Sequence, residues 1–406
     1  MSRSLASAVS GLRAHQLMLD VVGNNIANVN TPGYKASRVD FSDILSQTLQ
    51  GATAPSATSG GVNPRQVGPG VAVGSVTPQF TQGDMQITNR PTDMAIQGQG
   101  FFILSNGTTN YFTRAGSFQL DANGNLVDAV TGFKVQGITG DIQIVAGTAT
   151  SPVRSSAATF KGNLDSGAAT GATYTSTYSI VDSLGSSHSL TLTFSKSASA
   201  GTWTFASSSS DGGMSISGTN PGSGTITFDA TGNITGGSIG TISLNFTNGA
   251  SSAQTITLDF ASGTNTSPVS GFASSSSVAL RTQNGAASGI LQGFTVSADG
   301  KITGLYSNGA TTTLATLKLA SFSNSAGLSR EGSNLFRDSA NSGVPATGTP
   351  GTGDRGKVTS GTLEGSNVDL AEEFTKLIVA QRGFQANARV ITSTDEVLQE
   401  AVNLKR

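Results

Sequence analysis

The chain has 406 residues, no cysteine, 52 glycines, 12% charged residues and a formal net charge of -1. Its length admits more than one domain and a large core. The missing cysteines exclude disulfides and thiolate-held metals, and the near-zero charge provides no field for a nucleic-acid backbone or an anionic membrane. His15 and His188 are the only histidines, so imidazole catalysis and multi-histidine metal sites have little to work with. No enzyme, metal or cofactor is expected.

The N-terminal segment lacks the apolar stretch of about 7 to 15 residues found in a cleaved signal peptide. No apolar run exceeds four residues, against the roughly 18 of a membrane span. By these rules alone the chain is a soluble cytoplasmic protein without membrane insertion. Leu5, Val9, Leu12, Gln16, Leu19, Gly23 and Ile26 follow 4,3 spacing, which predicts a helix with a coiled-coil seam, ended by Thr31-Pro32-Gly33. The amides around that end, Asn24, Asn25 and Asn28, suit hydrogen bonds to a paired helix or a neighbouring subunit. His15, one position from the seam, is read as a packing or interface residue.

Residues 51–70 are rich in Gly, Pro, Ser and Thr and are expected as an extended or flexible connector. Residues 341–357 have the same character at the mirror-image position, so the two are expected to run side by side. Between them, 71–146 and 285–340 predict strands. Asp121-Ala122-Asn123-Gly124 and Ser297-Ala298-Asp299-Gly300 mark hairpin turns. Gly98-Gln99-Gly100 is followed by a strand and lacks the third glycine of a dinucleotide loop, so it is read as a tight strand entry. Asp121 to Asn125 lacks the closing glutamate of a calcium loop.

From Ser151 to Leu280, 68 of 130 residues are Ser, Thr or Gly and only eight are charged, a composition that could mean disorder. Period-2 alternation argues against it: Leu190/Leu192/Phe194, Trp203/Phe205, Ile226/Phe228, Ile242/Leu244/Phe246 and Ile256/Leu258/Phe260. Each set buries one face of a strand, so a small β sandwich or barrel is expected. His188 has no acidic neighbour beyond Asp182 and is not a credible catalyst.

At the C-terminus the 4,3 spacing returns in Leu370, Phe374, Leu377, Gln381, Phe384, Ala388, Ile391, Asp395, Leu398 and Val402. A helix from Val368 to Leu404 is predicted, with Ser366 and Asp369 as a capping box, Glu372 and Glu373 in its first turns, and Lys405 and Arg406 closing it. The fold class is therefore α+β: terminal helices forming a coiled-coil-like pair, with two mainly antiparallel β domains inserted between them. A two-helix pair has no enclosed core. Ala8, Val22, Ile378, Val379, Val390 and Val397 off the seam are expected to stay exposed unless other helices cover them, which argues for self-association through the termini.

Several motifs resemble a known family. Ser10-Gly11-Leu12 and the run Asn24-Asn25-Ile26-Ala27-Asn28-Val29-Asn30-Thr31-Pro32-Gly33-Tyr34-Lys35 resemble the N-terminal signature of the axial proteins of the bacterial flagellum: rod, hook and hook-associated proteins. Phe80-Thr81-Gln82-Gly83, Asp93 to Gly98-Gln99-Gly100-Phe101-Phe102, and Tyr111 to Phe118 match further blocks of that family. Gln381-Arg382-Gly383-Phe384-Gln385-Ala386-Asn387-Ala388 and Val402-Asn403-Leu404 are similar to its C-terminal motif. The long middle domain and the similarity of 181–194 to the opening of the hook's outer domain imply a hook subunit, with a distal rod subunit as the alternative.

The resemblance implies an inner helical polymerisation domain (1–34 with 366–406), a connector (35–70 with 341–365), an intermediate β domain (71–146 with 285–340) and an outer β domain (147–284). It also implies a homopolymer forming a curved universal joint that passes torque from rod to filament. Implied partners are the distal rod protein, the hook cap, the hook-filament junction proteins and the flagellar type III export apparatus. Export would proceed without a cleaved signal, to an extracellular site on the basal body. A reading from a different class, a secreted Ser/Thr-rich β-adhesin or surface-layer protein, accounts for the middle but not for the matched helical ends.

Overall fold

The computed structural model describes residues 2–55, 60–217, 222–237, 239–251, 253–261 and 268–403. Leu404, Lys405 and Arg406, expected to close the last helix, lie outside the described residues. The chain gathers into two compact units. One comprises Met1–Val145, Phe294–Thr303 and Thr313–Arg406, and the other Ala146–Gly293 and Gly304–Thr312. Residues 285–293 and 304–312, expected in the intermediate region, thus group with the second unit.

The first unit carries both helices, α1 (Ser2–Ala27) and α2 (Leu370–Asn403). At 1.5 Å per residue the 34 residues of α2 span about 51 Å. Its N-cap is Asp369, whose carboxylate accepts from the amides of Ala371 (2.8 Å) and Glu372 (3.3 Å). The expected capping box is therefore corrected. Ser366 instead accepts from the Val368 amide before the helix begins, and the helix starts two residues later than Val368 because Asp369 satisfies its first free donors.

After α1 the chain forms an antiparallel ribbon, Ser37–Asp43 against Val71–Pro78 and Gln47–Gln50 against Arg65–Val67. The stretch expected as a connector is thus part of a hairpin closing on itself. Residues Ala346–Gly348 pair instead with Leu319–Ser321. The two Gly/Pro-rich stretches take their backbone hydrogen bonds from different partners rather than from each other, because each has a strand within reach that pairs locally.

The main sheet of this unit runs in the order 329–332, 335–337, 110–113, 101–105, 134–137, 126–128 and 118–120, and 319–321 also pairs with 101–105. The expected turn at 121–124 joins Phe118–Leu120 to Leu126–Asp128, and Asp121 accepts from the amides of Asn123 and Asn125. Phe101, Ile103, Phe112, Ala320, Leu328 and Phe336 form a core, with Phe80 and Phe322 packed on it.

The second unit is a sandwich. One sheet has the order 173–181, 187–196, 202–209, 224–228, 234–236; the other has the order 214–217, 239–246, 254–259, 157–163, 269–270, with 279–283 also on 157–163. All pairs are antiparallel except those of 157–163 with 254–259 and 269–270. The expected alternation is visible in Ser187–Lys196, where every second side chain is buried. Phe160, Leu192, Phe194, Trp203, Phe205, Ile242, Leu258 and Phe260 meet in one core, so the Ser/Thr-rich composition describes the outer faces and not disorder.

Candidate functional site

The two helices of the first unit lie antiparallel in one fixed register. Gly11 of α1 faces the Asn387 side chain, and a Cβ added there would lie 2.8 Å from Asn387 Nδ2. Gly383 of α2 faces the His15 ring, 2.5 Å from such a Cβ. At the far end Asn25 Nδ2 donates to Glu373 Oε2 at 3.0 Å, both residues buried. Moving four residues along α1, from Gly11 to His15, moves four back along α2, from Asn387 to Gly383; the ten to Asn25 match the ten to Glu373. Reciprocal glycine notches let each helix receive one polar side chain of the other.

This contact corrects the expected seam. The buried positions of α1 are Ala8, Gly11, Ala14, Val22 and Asn25, so Ala8 and Val22, expected to be exposed, form the covered face. Small residues take it because the axes approach closely there. Leu5, Val9, Leu12, Leu19 and Ile26 are only half-buried. Leu5 and Val9, with Leu17, line a groove of about 690 Å³ against Val71, Ala72 and Val73.

On α2, Leu377, Phe384, Asn387 and Ile391 are half-buried, while Gln381 faces solvent. Leu370, Phe374, Leu398 and Val402 are exposed, and so are Ile378, Val379, Val390 and Val397, as expected. His15 packs edge-on to Phe41 with ring centroids 5.7 Å apart.

Where α1 ends, a polar junction is built. Asn28 Nδ2 donates to the Asn24 carbonyl, Thr31 Oγ1 donates to Asn28 Oδ1, and Ala27 is exposed. Gly33 has φ +71°, and a Cβ there would lie 2.5 Å from the Ala115 nitrogen, so only glycine fits. Its amide donates to the Glu364 carbonyl at 2.8 Å. The Pro32 carbonyl accepts from Asn334 Nδ2. Tyr34 donates its hydroxyl toward Asn24 Oδ1 (2.7 Å) and Asn25 Oδ1 (3.1 Å). Arg330 lies over the Tyr34 ring at 5.3 Å and donates to the Lys35 carbonyl.

Beneath lies a buried ion group. Lys35 Nζ sits 2.6 Å from Glu364 Oε1 with both side chains fully buried, and Arg114 Nη1 is 3.7 Å from Glu364 Oε2. Lys35 also donates to the Thr81 carbonyl at 2.7 Å, and the Gly83 amide donates to Glu364 Oε1 at 3.1 Å. Arg114 Nη2 donates to the Gly98 carbonyl at 2.7 Å. Burial pushes the pKa of Lys35 down, with the adjacent Glu364 opposing it, and does the same to Arg114. Asn367 completes the junction, accepting from the Ala36 amide and donating to the Gln79 carbonyl, both at 2.8 Å.

Residues from each intermediate motif block thus converge here: Asn24, Asn25, Gly33, Tyr34 and Lys35, then Thr81 and Gly83, then Gly98 and Arg114. Gly100 leads into the strand carrying Phe101 and Phe102, both buried, with Phe101 in the aromatic core and Phe102 against Phe118. Sequence reasoning missed Glu364, Asn367 and Arg330, and it placed Glu373 in the first turns of the C-terminal helix without its pairing to Asn25. A lone glutamate next to Gly365 carries no signal of the lysine and arginine that fold around it.

In the second unit His188 has two acidic partners, not one: Nδ1 lies 2.6 Å from Asp211 Oδ2 and Nε2 lies 3.1 Å from Asp182 Oδ2. Burial opposes protonation of the ring, but the two carboxylates outweigh it and raise its pKa. Asp182 is pushed up by burial, yet hydrogen bonds from Asn248, His188 and the amides of Ser186 and Leu184 hold it down at about 2. The ring rests on Phe246 at 4.8 Å between centroids. The histidine is buried, and through Asp182, which accepts from the Leu184 and Ser186 amides, it is tied to the 182–186 turn.

Comparison with known proteins agrees with the motif geometry. The family described as flagella basal body rod protein matches residues 5–35, and the hook protein FlgE/F/G D1 domain matches 95–156. The flagellar basal body protein FlaE D2 domain matches 144–286, and the basal body rod FlgEFG protein C-terminal family matches 359–404. The flagellar hook protein FlgE of Treponema pallidum (strain Nichols) is 35% identical over 463 aligned positions, covering 100% of both chains. The chain belongs to the flagellar hook protein family. The flagellar basal-body rod protein FlgG of Bacillus subtilis (strain 168) is also similar, 32% identical over 100% of both chains. The crystal structure of Helicobacter pylori flagellar hook protein FlgE2 superposes with a TM-score of 0.50 at 16% identity, covering 70% of this chain and 100% of that one; it supports the fold. Hook-family membership makes this chain a structural subunit of the flagellar hook.

Proposed function

We propose that the chain polymerises through α1 and α2 into a curved tube acting as a universal joint between rod and filament. The observation that carries this reading is the one-sidedness of α2. It is covered along Glu373, Ala380 and Phe384, yet leaves Phe374, Ile378, Val379, Val390, Val397 and Leu398 exposed. A stripe of that length on one helix needs other helices to cover it. The half-open groove along Leu5 and Val9 offers a second apolar surface on the same unit.

The buried junction at Lys35, Arg114 and Glu364 holds the helix pair to the first β region, so that force entering the helices reaches that region without local unfolding. The sandwich of 147–284 tunes bending: its outer faces are Ser and Thr with few charges, which suits wet, weakly directional contacts that slide at small cost. The rod is the partner at one end, and the cap and the hook-filament junction proteins are partners at the other. The chain leaves through the flagellar type III apparatus without a cleaved signal.

Electron microscopy of purified chain tests this reading, with wild type expected to give short curved tubes and a 147–284 deletion to give tubes of altered curvature. Failure of the folded deletion variant to form any tube would refute the division of labour.

A further inference from the structure

The surroundings of His188 are built for a ring that carries two protons. Nδ1 lies 2.6 Å from Asp211 and Nε2 lies 3.1 Å from Asp182. Both acids stay ionised: Asp182 because four hydrogen bonds outweigh its burial, Asp211 because the Gly213 amide and the ring hold it below the ordinary carboxylate range. A carboxylate can only accept, so both contacts are hydrogen bonds only when both ring nitrogens carry hydrogen. A neutral imidazole donates once and turns a lone pair toward the other acid. These two acids are the charged groups that face the ring; beside them lie the Phe246 ring and the Asn248 amide, which donates to Asp182 at 2.6 Å.

The two contacts are not equivalent. The Asp182 side chain is 0% exposed and also accepts from Asn248 and from the amides of Leu184 and Ser186. The Asp211 side chain is 33% exposed, and its remaining partner among the described residues is the Gly213 amide at 3.0 Å. Water can replace the ring at Asp211 but not at Asp182, so the last ring proton stays with Asp182. Asp211 lies in the crossing 210–213, which leads from Thr202–Ser209 in one sheet to Met214–Ser217 at the edge of the other. A side chain added at Gly212 would meet open space, and the buried Met214 anchors the strand that follows. Freedom gained at Asp211 is therefore confined to the crossing.

We propose that His188 is a proton-operated latch: protonated, it clasps Asp182 and Asp211 together and fixes the crossing between the two sheets; deprotonated, it keeps Asp182 and lets 210–213 open. Burial disfavours the charged ring, but the two carboxylates outweigh it and raise its pKa. The latch is closed below the ordinary value of about 6.5 and opens as pH rises through the folded value. A local charge change thus alters how firmly the sheets are joined, without unfolding the sandwich. The latch acts within the second unit and does not depend on the assembly reading above.

The test is hydrogen exchange of the full chain from about pH 5 to 9, spanning the titration range of histidine. It is read on a peptide covering 209–215 and corrected for the intrinsic effect of pH, with the His188 ring titrated by NMR in the same buffers. The amides of Asp211, Gly213 and Met214 report on the crossing, donating to Ser209 Oγ, Asp211 Oδ1 and the Asp211 carbonyl. Their protection is expected to fall about tenfold over the interval in which His188 loses its proton, the loss of one hydrogen bond to a charged group, while 254–259 keeps its protection. Asp211→Asn distinguishes a latch from a merely structural histidine. Its amide nitrogen can donate to the neutral ring's Nδ1, so 209–215 should stay protected at high pH. No fall across the His188 titration, an equal fall in 254–259, or wild-type pH dependence in Asp211→Asn would overturn the proposal.

Discussion

The junction of the first unit and the core of the second unit bury their residues by opposite chemistry. Around Lys35 and Glu364 the buried groups are charges and amides, held by ion pairs and hydrogen bonds to specific partners. In the sandwich, Phe194, Trp203, Ile256, Leu258 and Phe260 are buried among other apolar side chains, and the Ser and Thr of strands such as Ser187–Lys196 lie on the opposite, more open face. The contrast teaches where replaceability lies. An apolar core accepts another side chain of similar volume, whereas a buried ion group fails when one member is lost.

The largest effect should come from Glu364→Leu. It strands Lys35 and Arg114 as unpaired interior cations and should cost about 3–5 kcal/mol, measured by denaturant unfolding, with the loss confined to the first unit. Leu258→Ala attacks the other side of the comparison. A cost of about 2–5 kcal/mol is expected from lost burial and the residual cavity, confined to the sandwich, while Leu258→Met should cost under about 1.5 kcal/mol. If Glu364→Leu proved as mild as Leu258→Met, the contrast between the regions would collapse.

Tyr34→Phe removes the hydroxyl shared by Asn24 and Asn25 and should cost about 1 kcal/mol, read from the first unit's unfolding midpoint. His188 provides a titration within the sandwich. Its pKa is raised in the folded state, so its stabilising contribution is complete below the unfolded value of about 6.5 and is lost as pH rises through the folded value. Stability of the second unit should therefore fall across that window in wild type, and His188→Gln should flatten the fall. The smallest effect belongs to the sandwich exterior, where Thr177→Ser should stay within about 0.5 kcal/mol by thermal unfolding.

Much of this molecule was legible from residue order, and the illegible parts share a cause. Strands such as Ser187–Lys196 announce themselves because one face is apolar and the period is 2. Both helices were legible from spacing near 3.5, as was the turn at Asp121 to Gly124. The covered face of α1 was misassigned: Ala8 and Val22 were read as apolar positions off the seam, and Gly11 and Ala14 are too small to register as hydrophobic signals, although the gap at Gly11 is what admits Asn387. The ion group was hidden for a different reason: Lys35, Arg114 and Glu364 lie far apart in the chain, and only the fold places them together. The same distance hid Asp211 from His188. Resemblance supplied the motif positions but not their shared task of holding the helix pair to the β region.

The central claim is that the exposed stripe of α2 makes the contacts between subunits while the covered face makes the subunit itself. The most direct measurement is assembly of Phe374→Asp, followed by electron microscopy and sedimentation, with thermal unfolding run in parallel. The account predicts a subunit that melts like wild type and stays monomeric, because Phe374 is 50% exposed in the free chain and would be buried beside a neighbour. Tubes of normal length and yield from that variant would contradict it.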